Sequence, residues 1–160
     1  MKTVITYGTF DLFHVGHVRL LKRLRDMGDR LIVGISSDEF NQIKGKKSFF
    51  SYEERAEIVS SSRYVDFVFP ENNWEQKRGD IVKYHANILG MGSDWVGKFD
   101  NLKDICNVVY LERTKDISTT EIKRSLSLVT PEQMIDLEKS FSVTLNILRT
   151  INSAINIGNK

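Results

Sequence analysis

Five short runs rich in β-branched and aromatic residues recur along the first 111 positions, and helix signals separate most of them. The runs are residues 2–7, 30–36, 64–69, 88–91 and 108–111, each the length of a buried strand. After the first run, Leu20, Leu21, Leu24 and Met27 recur at helical spacing and the pattern ends near Gly28. Ser51-Tyr52-Glu53-Glu54 has capping-box spacing and predicts a helix to about Ser60; Asn73 can cap another from Trp74 to about Tyr84. Between strands two and three, residues 37–40 turn away and Lys44-Gly45-Lys46-Lys47 forms a basic loop. Pro70 is expected to stop the third strand. Such alternation predicts an α/β, Rossmann-like three-layer sandwich with a five-stranded parallel sheet, which binds ligands beyond the carboxyl ends of its strands.

Composition narrows the class further. With 160 residues and 41% hydrophobic content, the chain can bury one core. A net charge of +2, with 23 basic residues spread along the chain, argues against a nucleic-acid partner. The single Cys106, read as a small buried hydrophobe, offers no internal disulfide and fits a reducing compartment. No signal peptide and no 18-residue apolar run is present, so the expectation is a soluble cytoplasmic protein without membrane insertion.

The first strand runs into Gly8-Thr9-Phe10-Asp11, followed by His14-Val15-Gly16-His17 at the start of a helix. Two histidines three apart put both imidazoles on one side of the first turn, where unpaired backbone N–H groups favour a phosphate. Gly16 lets the backbone come close to a ligand. Three readings stand: cap histidines bonded to backbone, a metal pair, or a His-x-Gly-His phosphate site. The metal reading lacks a further ligand cluster at zinc spacing, and the strand-loop-helix context favours the third.

A second patch, Arg113 to Thr120, follows the fifth strand. Ser118 and Glu121 have capping-box spacing, predicting a helix from Thr119 to Leu128; a hydroxyl-rich helix start is also a phosphate site. Arg113 could pair bidentately with the same anion.

Tyr7-Gly8-Thr9-Phe10-Asp11-Leu12-Phe13-His14-Val15-Gly16-His17 resembles the signature of the cytidylyltransferases within the His-x-Gly-His nucleotidyltransferases. Arg113-Thr114-Lys115-Asp116-Ile117-Ser118-Thr119-Thr120 resembles their second signature, Arg-Thr-x-Gly-Ile-Ser-Thr-Thr. Asn72-Asn73-Trp74-Glu75-Gln76-Lys77 and Met91-Gly92-Ser93-Asp94-Trp95 are most similar to the branch acting on glycerol 3-phosphate. The likeness covers residues 1–128. It implies CMP transfer from CTP to glycerol 3-phosphate with a divalent cation such as Mg²⁺, giving diphosphate and CDP-glycerol, a surface-polymer precursor. Another polyol or sugar phosphate as acceptor, or a non-catalytic nucleotide-binding regulatory module, stays open.

The resemblance also implies roles. Gly8, Thr9, Phe10, Asp11, His14, Gly16, His17, Gly92, Asp94, Arg113, Thr114, Ile117, Ser118, Thr119 and Thr120 would bind the nucleotide. Lys44, Lys46, Trp74 and Lys77 would meet the acceptor. A phosphomonoester is largely dianionic at pH 7, with a second pKa of about 6, so no general base is required. Catalysis then rests on positioning and on neutralising phosphoryl oxygens, by His14, His17, Lys44, Lys46 and Arg113. Asp11 would orient a donor or help hold the metal, whose ligands are otherwise unassigned. Asp116 stands where the family has Gly, and Ser93 where it often has an acid.

Residues 129–160 lie beyond the resemblance. Thr130-Pro131-Glu132-Gln133 is a helix start, and Met134, Leu137, Phe141, Leu145, Leu148, Ile151 and Ile155 form one apolar stripe. Only Lys139 and Arg149 are basic between Glu132 and Asn156, which disfavours an anionic lipid surface. The expectation is a C-terminal amphipathic extension that pairs with a second subunit, giving a homodimer.

Overall fold

A computed structural model describes residues 1–115, 117–126, 135–136, 138–147 and 149, in two compact units, Met1–Ile122 and Lys123–Lys160. In the first, the elements are β1 (Thr3–Gly8), α1 (Val15–Arg25), β2 (Arg30–Ser36), α2 (Asp38–Ile43), α3 (Tyr52–Ser60), β3 (Phe67–Glu71), α4 (Gln76–Lys83), β4 (Ile88–Gly92), β5 (Asn107–Leu111) and the start of α5 (Thr119–Leu126).

The five strands form the expected parallel sheet, in the order β3-β2-β1-β4-β5. Strand alternation feeds two cores, one on each face. Val4, Leu31, Val33 and Ile35 join Leu21 and Leu24 of α1 and Val59 of α3. Ile5, Tyr7, Ile32 and Leu89 face the other way, with Ile81 of α4 and Phe99. Gly90 sets how closely α1 lies on the sheet, because a Cβ there would come within 2.1 Å of Leu24 Cδ2. The chain turns outward in both directions from β1, so the crevice between the ends of β1 and β4 is the switch point where such sheets take ligands.

Four details differ from the sequence reading, the first being that the third strand begins at Phe67 and not at residue 64. Residues 38–43 form a helix of six residues, too short to show a period, where only a turn was expected. Pro70 does not stop β3, which runs to Glu71; β3 is the sheet edge, where a missing N–H leaves no ladder bond broken. Helix α4 starts at Gln76, although Asn73 Oδ1 still accepts from the Gln76 N–H at 2.8 Å.

In the second unit, residues 135–136, 138–147 and 149 are helical. Met134, Leu137, Leu148, Ile151 and Ile155 of the expected stripe, the helix start at 130–133, residues 127–128 and Asp116 lie outside the described residues. Among the described residues, no helix is long and apolar enough to cross a membrane.

Candidate active site

The loop from Gly8 to His14 is held by its own side chains. Phe10 and Leu12 take positive φ values of 53° and 45°, a region that costs a non-glycine residue free energy and persists only where surroundings enforce it. Phe10 is buried in the core beneath, its ring 5.3 Å from that of His17. Asp11 is buried as well, and its two carboxylate oxygens accept the backbone N–H groups of Phe49 (2.8 Å) and Phe50 (3.1 Å). Its observed contacts thus tie the glycine loop to the end of the lysine loop. Arg55, fully buried on α3, adds a second tie by donating to the carbonyls of Thr9 (2.8 Å) and Phe50 (3.1 Å) and pairing with Asp38. Thr9 donates to Asn41 Oδ1.

His14 is the N-cap of α1. Its Nδ1 accepts from the Gly16 N–H at 3.0 Å, while His17 Nδ1 accepts from the His14 N–H at 3.3 Å. Each ring therefore uses Nδ1 as an acceptor, which places the proton of the neutral form on Nε2. The rings stack at 3.9 Å. Burial is the main cause holding both below the usual histidine range, with His17 near 4; the Arg113 charge adds to this at each. At neutral pH these are two uncharged Nε2–H donors. The capping and phosphate readings are compatible, since capping engages Nδ1 and a phosphate would engage Nε2. Gly16 belongs to the same geometry: a Cβ there would come within 2.7 Å of His14 Cε1 and 3.2 Å of Ile117 Cγ2.

The start of α5 meets this loop. Thr119 Oγ1 donates to the Asp11 carbonyl at 3.0 Å and lies 3.5 Å from His14 Nε2. Ser118 Oγ accepts from the Glu121 N–H at 3.1 Å; the Glu121 carboxylate takes the Ser118 hydroxyl at 2.9 Å. Thr114, Ile117 and Ser118 are half-buried and Thr120 is exposed. Arg113 pairs with Asp94 at 3.1 Å, both well exposed at 60% and 58%. Gly92 ends β4 beside Asp94, and a Cβ there would meet nothing within 4 Å.

A second group gathers at the ends of β2 and β3. Lys77, only 2% exposed, bonds Glu71, and its ammonium lies over the rings of Tyr7 (4.5 Å), Trp74 (4.9 Å) and Phe99 (5.2 Å). Lys77 was expected to meet an acceptor phosphate; here its ammonium is engaged by Glu71. Lys44 Nζ reaches Ser36 Oγ at 2.7 Å and lies 4.4 Å from the centre of the Phe40 ring. Burial lowers its pKa to about 8. Trp74 is partly exposed and packs on Phe40 and Trp95; Lys46 is exposed. Among the described residues, no three His, Cys, Asp or Glu side chains gather at metal-binding distance. Sequence reasoning missed Ser36, Asn41, Arg55 and Glu71, whose signal was weak: Ser36 and Glu71 are polar residues closing apolar strands.

A cytidylyltransferase-like family model matches residues 5–125. The chain is 58% identical over 126 residues to a glycerol-3-phosphate cytidylyltransferase of Staphylococcus aureus, covering 79% of this chain and 96% of that protein. It is likewise 58% identical over 127 residues to the Bacillus subtilis protein of the same name, covering 79% and 98%. Among solved structures, a lipopolysaccharide core biosynthesis protein from Thermoplasma volcanium has the same fold, with TM-score 0.62 at 22% identity over 72% of this chain and 99% of that one.

Proposed function

The chain belongs to the cytidylyltransferase-like family, and we propose that it transfers the cytidylyl group of CTP to glycerol 3-phosphate. An oxygen of the acceptor phosphate attacks the α-phosphorus of CTP, the bond from that phosphorus to the β-phosphate oxygen breaks, and diphosphate leaves with CDP-glycerol as the other product. The attacking oxygen carries no proton in the dianion, so no base is called for.

The observation that carries this reading is the meeting of two helix starts, with Thr119 of α5 bonded to the loop that delivers His14 and His17. Both helix starts offer backbone N–H groups and a positive dipole end to the same anion. Two Nε2–H groups facing the α-phosphate oxygens stabilise charge that grows there in the transition state, and being neutral beforehand they do not hold the site closed with an ion pair. Arg113 exchanges Asp94 for phosphate. Lys44 and Lys46 approach from the other side, with Trp74 bordering the acceptor.

Mg²⁺ fits this site as an ion carried by the triphosphate, since it commonly keeps its waters and takes substrate phosphates with one or two carboxylates. Asp94, an exposed carboxylate, is the residue we assign to join it, since Asp11 is engaged by two N–H groups. When bound, the ion neutralises phosphate charge.

A cytoplasmic location is part of the proposal, because CTP is the donor it requires. A homodimer is proposed from the tail, where Phe141, Val143, Leu145 and Ile147 are each at least half-exposed. At about 100° per residue, Phe141 and Leu145 lie on one side of that helix and Val143 and Ile147 on the other, a pattern that calls for burial against a partner.

Incubation with CTP or ATP, Mg²⁺ and glycerol 3-phosphate or ribitol 5-phosphate tests the reading by diphosphate release. Turnover with CTP and glycerol 3-phosphate far above the other pairings is expected. Equal use of ATP would remove the nucleotide assignment, and preference for ribitol 5-phosphate the acceptor.

A further inference from the structure

Two lysines converge on one buried carboxylate at the carboxyl edge of the sheet. Glu71, 2% exposed at the end of β3, takes Lys77 on Oε1 and the Ser36 hydroxyl on Oε2 at 2.6 Å. Ser36, fully buried at the end of β2, in turn accepts from Lys44 Nζ at 2.7 Å. A serine hydroxyl has one proton and two acceptor sites, so it can donate to Glu71 while accepting from Lys44. The result is a Lys44–Ser36–Glu71 relay, with Lys44 Nζ 4.0 Å from Glu71 Oε2. Ser36 Oγ is also 3.5 Å from the Gly8 carbonyl, which closes the relay against the glycine loop.

The charges do not cancel. Lys77 and Glu71 neutralise each other, and Lys44 is left as the net charge of the cluster. Most loop lysines reach solvent and cost little to keep charged, but this one is held over Phe40 and 5.6 Å from Trp74. A desolvated ammonium with a fixed direction is what an incoming phosphate dianion needs from a loop that is otherwise exposed.

We propose that Ser36 and Glu71 are positioning residues for Lys44, aiming its ammonium at the acceptor phosphate and keeping it charged at the edge of the sheet. This rests on the acceptor reading given above. Neither residue touches substrate; both act through Lys44. The charged groups facing Lys44 agree with the assignment: Glu71 from β3 favours its charged form, while burial, Lys46 of its own loop, Lys77 of α4 and Arg55 of α3 oppose it. Glu71 is the negative charge that holds the proton on, and the Ser36 hydroxyl accepts from it.

Glu71→Gln keeps the shape and removes the charge. An opposite charge at about 4–6 Å moves a pKa by about 1–3 units, so the alkaline limb of kcat/KM for glycerol 3-phosphate should move down by at least about one unit. At pH 8 the charged fraction of a Lys44 with pKa about 8 would fall from about a half to about a tenth, so the KM for glycerol 3-phosphate should rise about fivefold or more, with the KM for CTP much less affected. Glu71→Asp, which keeps the charge, should restore the limb. Ser36→Ala is the second variant, because it removes only the relay hydroxyl and leaves the Lys77–Glu71 pair in place; it should raise the acceptor KM in the same direction. An unchanged alkaline limb in folded Glu71→Gln overturns the proposal. If that variant does not fold, an unchanged acceptor KM in Ser36→Ala overturns it. The Lys44 pKa read by ¹⁵Nζ NMR in the unliganded protein needs no turnover. A fall in Ser36→Ala or Glu71→Gln supports the relay even where glycerol 3-phosphate proves not to be the acceptor, and an unchanged value removes it even where it is.

Discussion

Thr119 and Asp11 stand 108 positions apart in the chain and are joined by a 3.0 Å hydrogen bond from the threonine hydroxyl to the aspartate carbonyl. That bond brings the second signature of the sequence onto the first. The same hydroxyl is 3.5 Å from His14 Nε2, so any anion bound between the two helix starts meets the threonine and the histidine together.

His17→Ala should lower kcat by about 10²–10³-fold, the loss seen when one preorganised donor to a developing oxyanion is removed, with a much smaller change in CTP affinity. His14 has a second duty as the cap of α1. His14→Ala should therefore also lose about 1 kcal/mol of stability, whereas His14→Asn should recover stability and not turnover. Thermal melts alongside steady-state rates separate the two effects; parent-level turnover by folded His17→Ala would remove the site.

The histidines also set a pH dependence of stability. Both are held below the usual histidine pKa of about 6.5, His17 near 4, so over the interval from about 6.5 down to about 4 the unfolded chain binds more protons than the folded one. Stability consequently rises with pH across that window and is lost as pH falls through it. Chemical denaturation at pH 5 and pH 7.5 should show a smaller difference for His17→Asn than for the parent protein.

Arg113 and Asp94 make an exposed ion pair, and such pairs contribute about 0–1 kcal/mol. Arg113→Lys should leave the melting temperature almost unchanged. It should nonetheless lower kcat/KM for CTP by at least about tenfold, because a lysine lacks the planar fork that holds a phosphate by two bonds. A matching loss of stability would mean that the pair is structural.

The sheet was legible because each strand is a compact apolar run, and the two helix starts because caps and glycines leave a local signature. What escaped is what the chain assembles in space. Lys77 reads as a ligand for an acceptor phosphate, yet it is buried on Glu71, six positions away and on another element. Nothing in the spacing singles out Arg55, and only the fold shows two loop carbonyls converging on it. Pro70 reads as a stop because the sequence does not say that its strand is an edge. The histidine caps were anticipated as one of three options, but which ring nitrogen they engage was not written in the spacing.

For the tail, the full chain and a truncation after Leu128 should differ in mass by light scattering, the full chain being dimeric and the more stable. Equal mass and equal melting temperature would assign residues 129–160 another role.

The proposed reaction is a single in-line displacement at the α-phosphorus between two helix starts, with no covalent enzyme intermediate. One diastereomer of CTP carrying sulfur in place of a nonbridging α-oxygen reports on it directly, through the configuration at phosphorus in the CDP-glycerol product. Inversion is the predicted result; retention would require two successive displacements and would contradict the account.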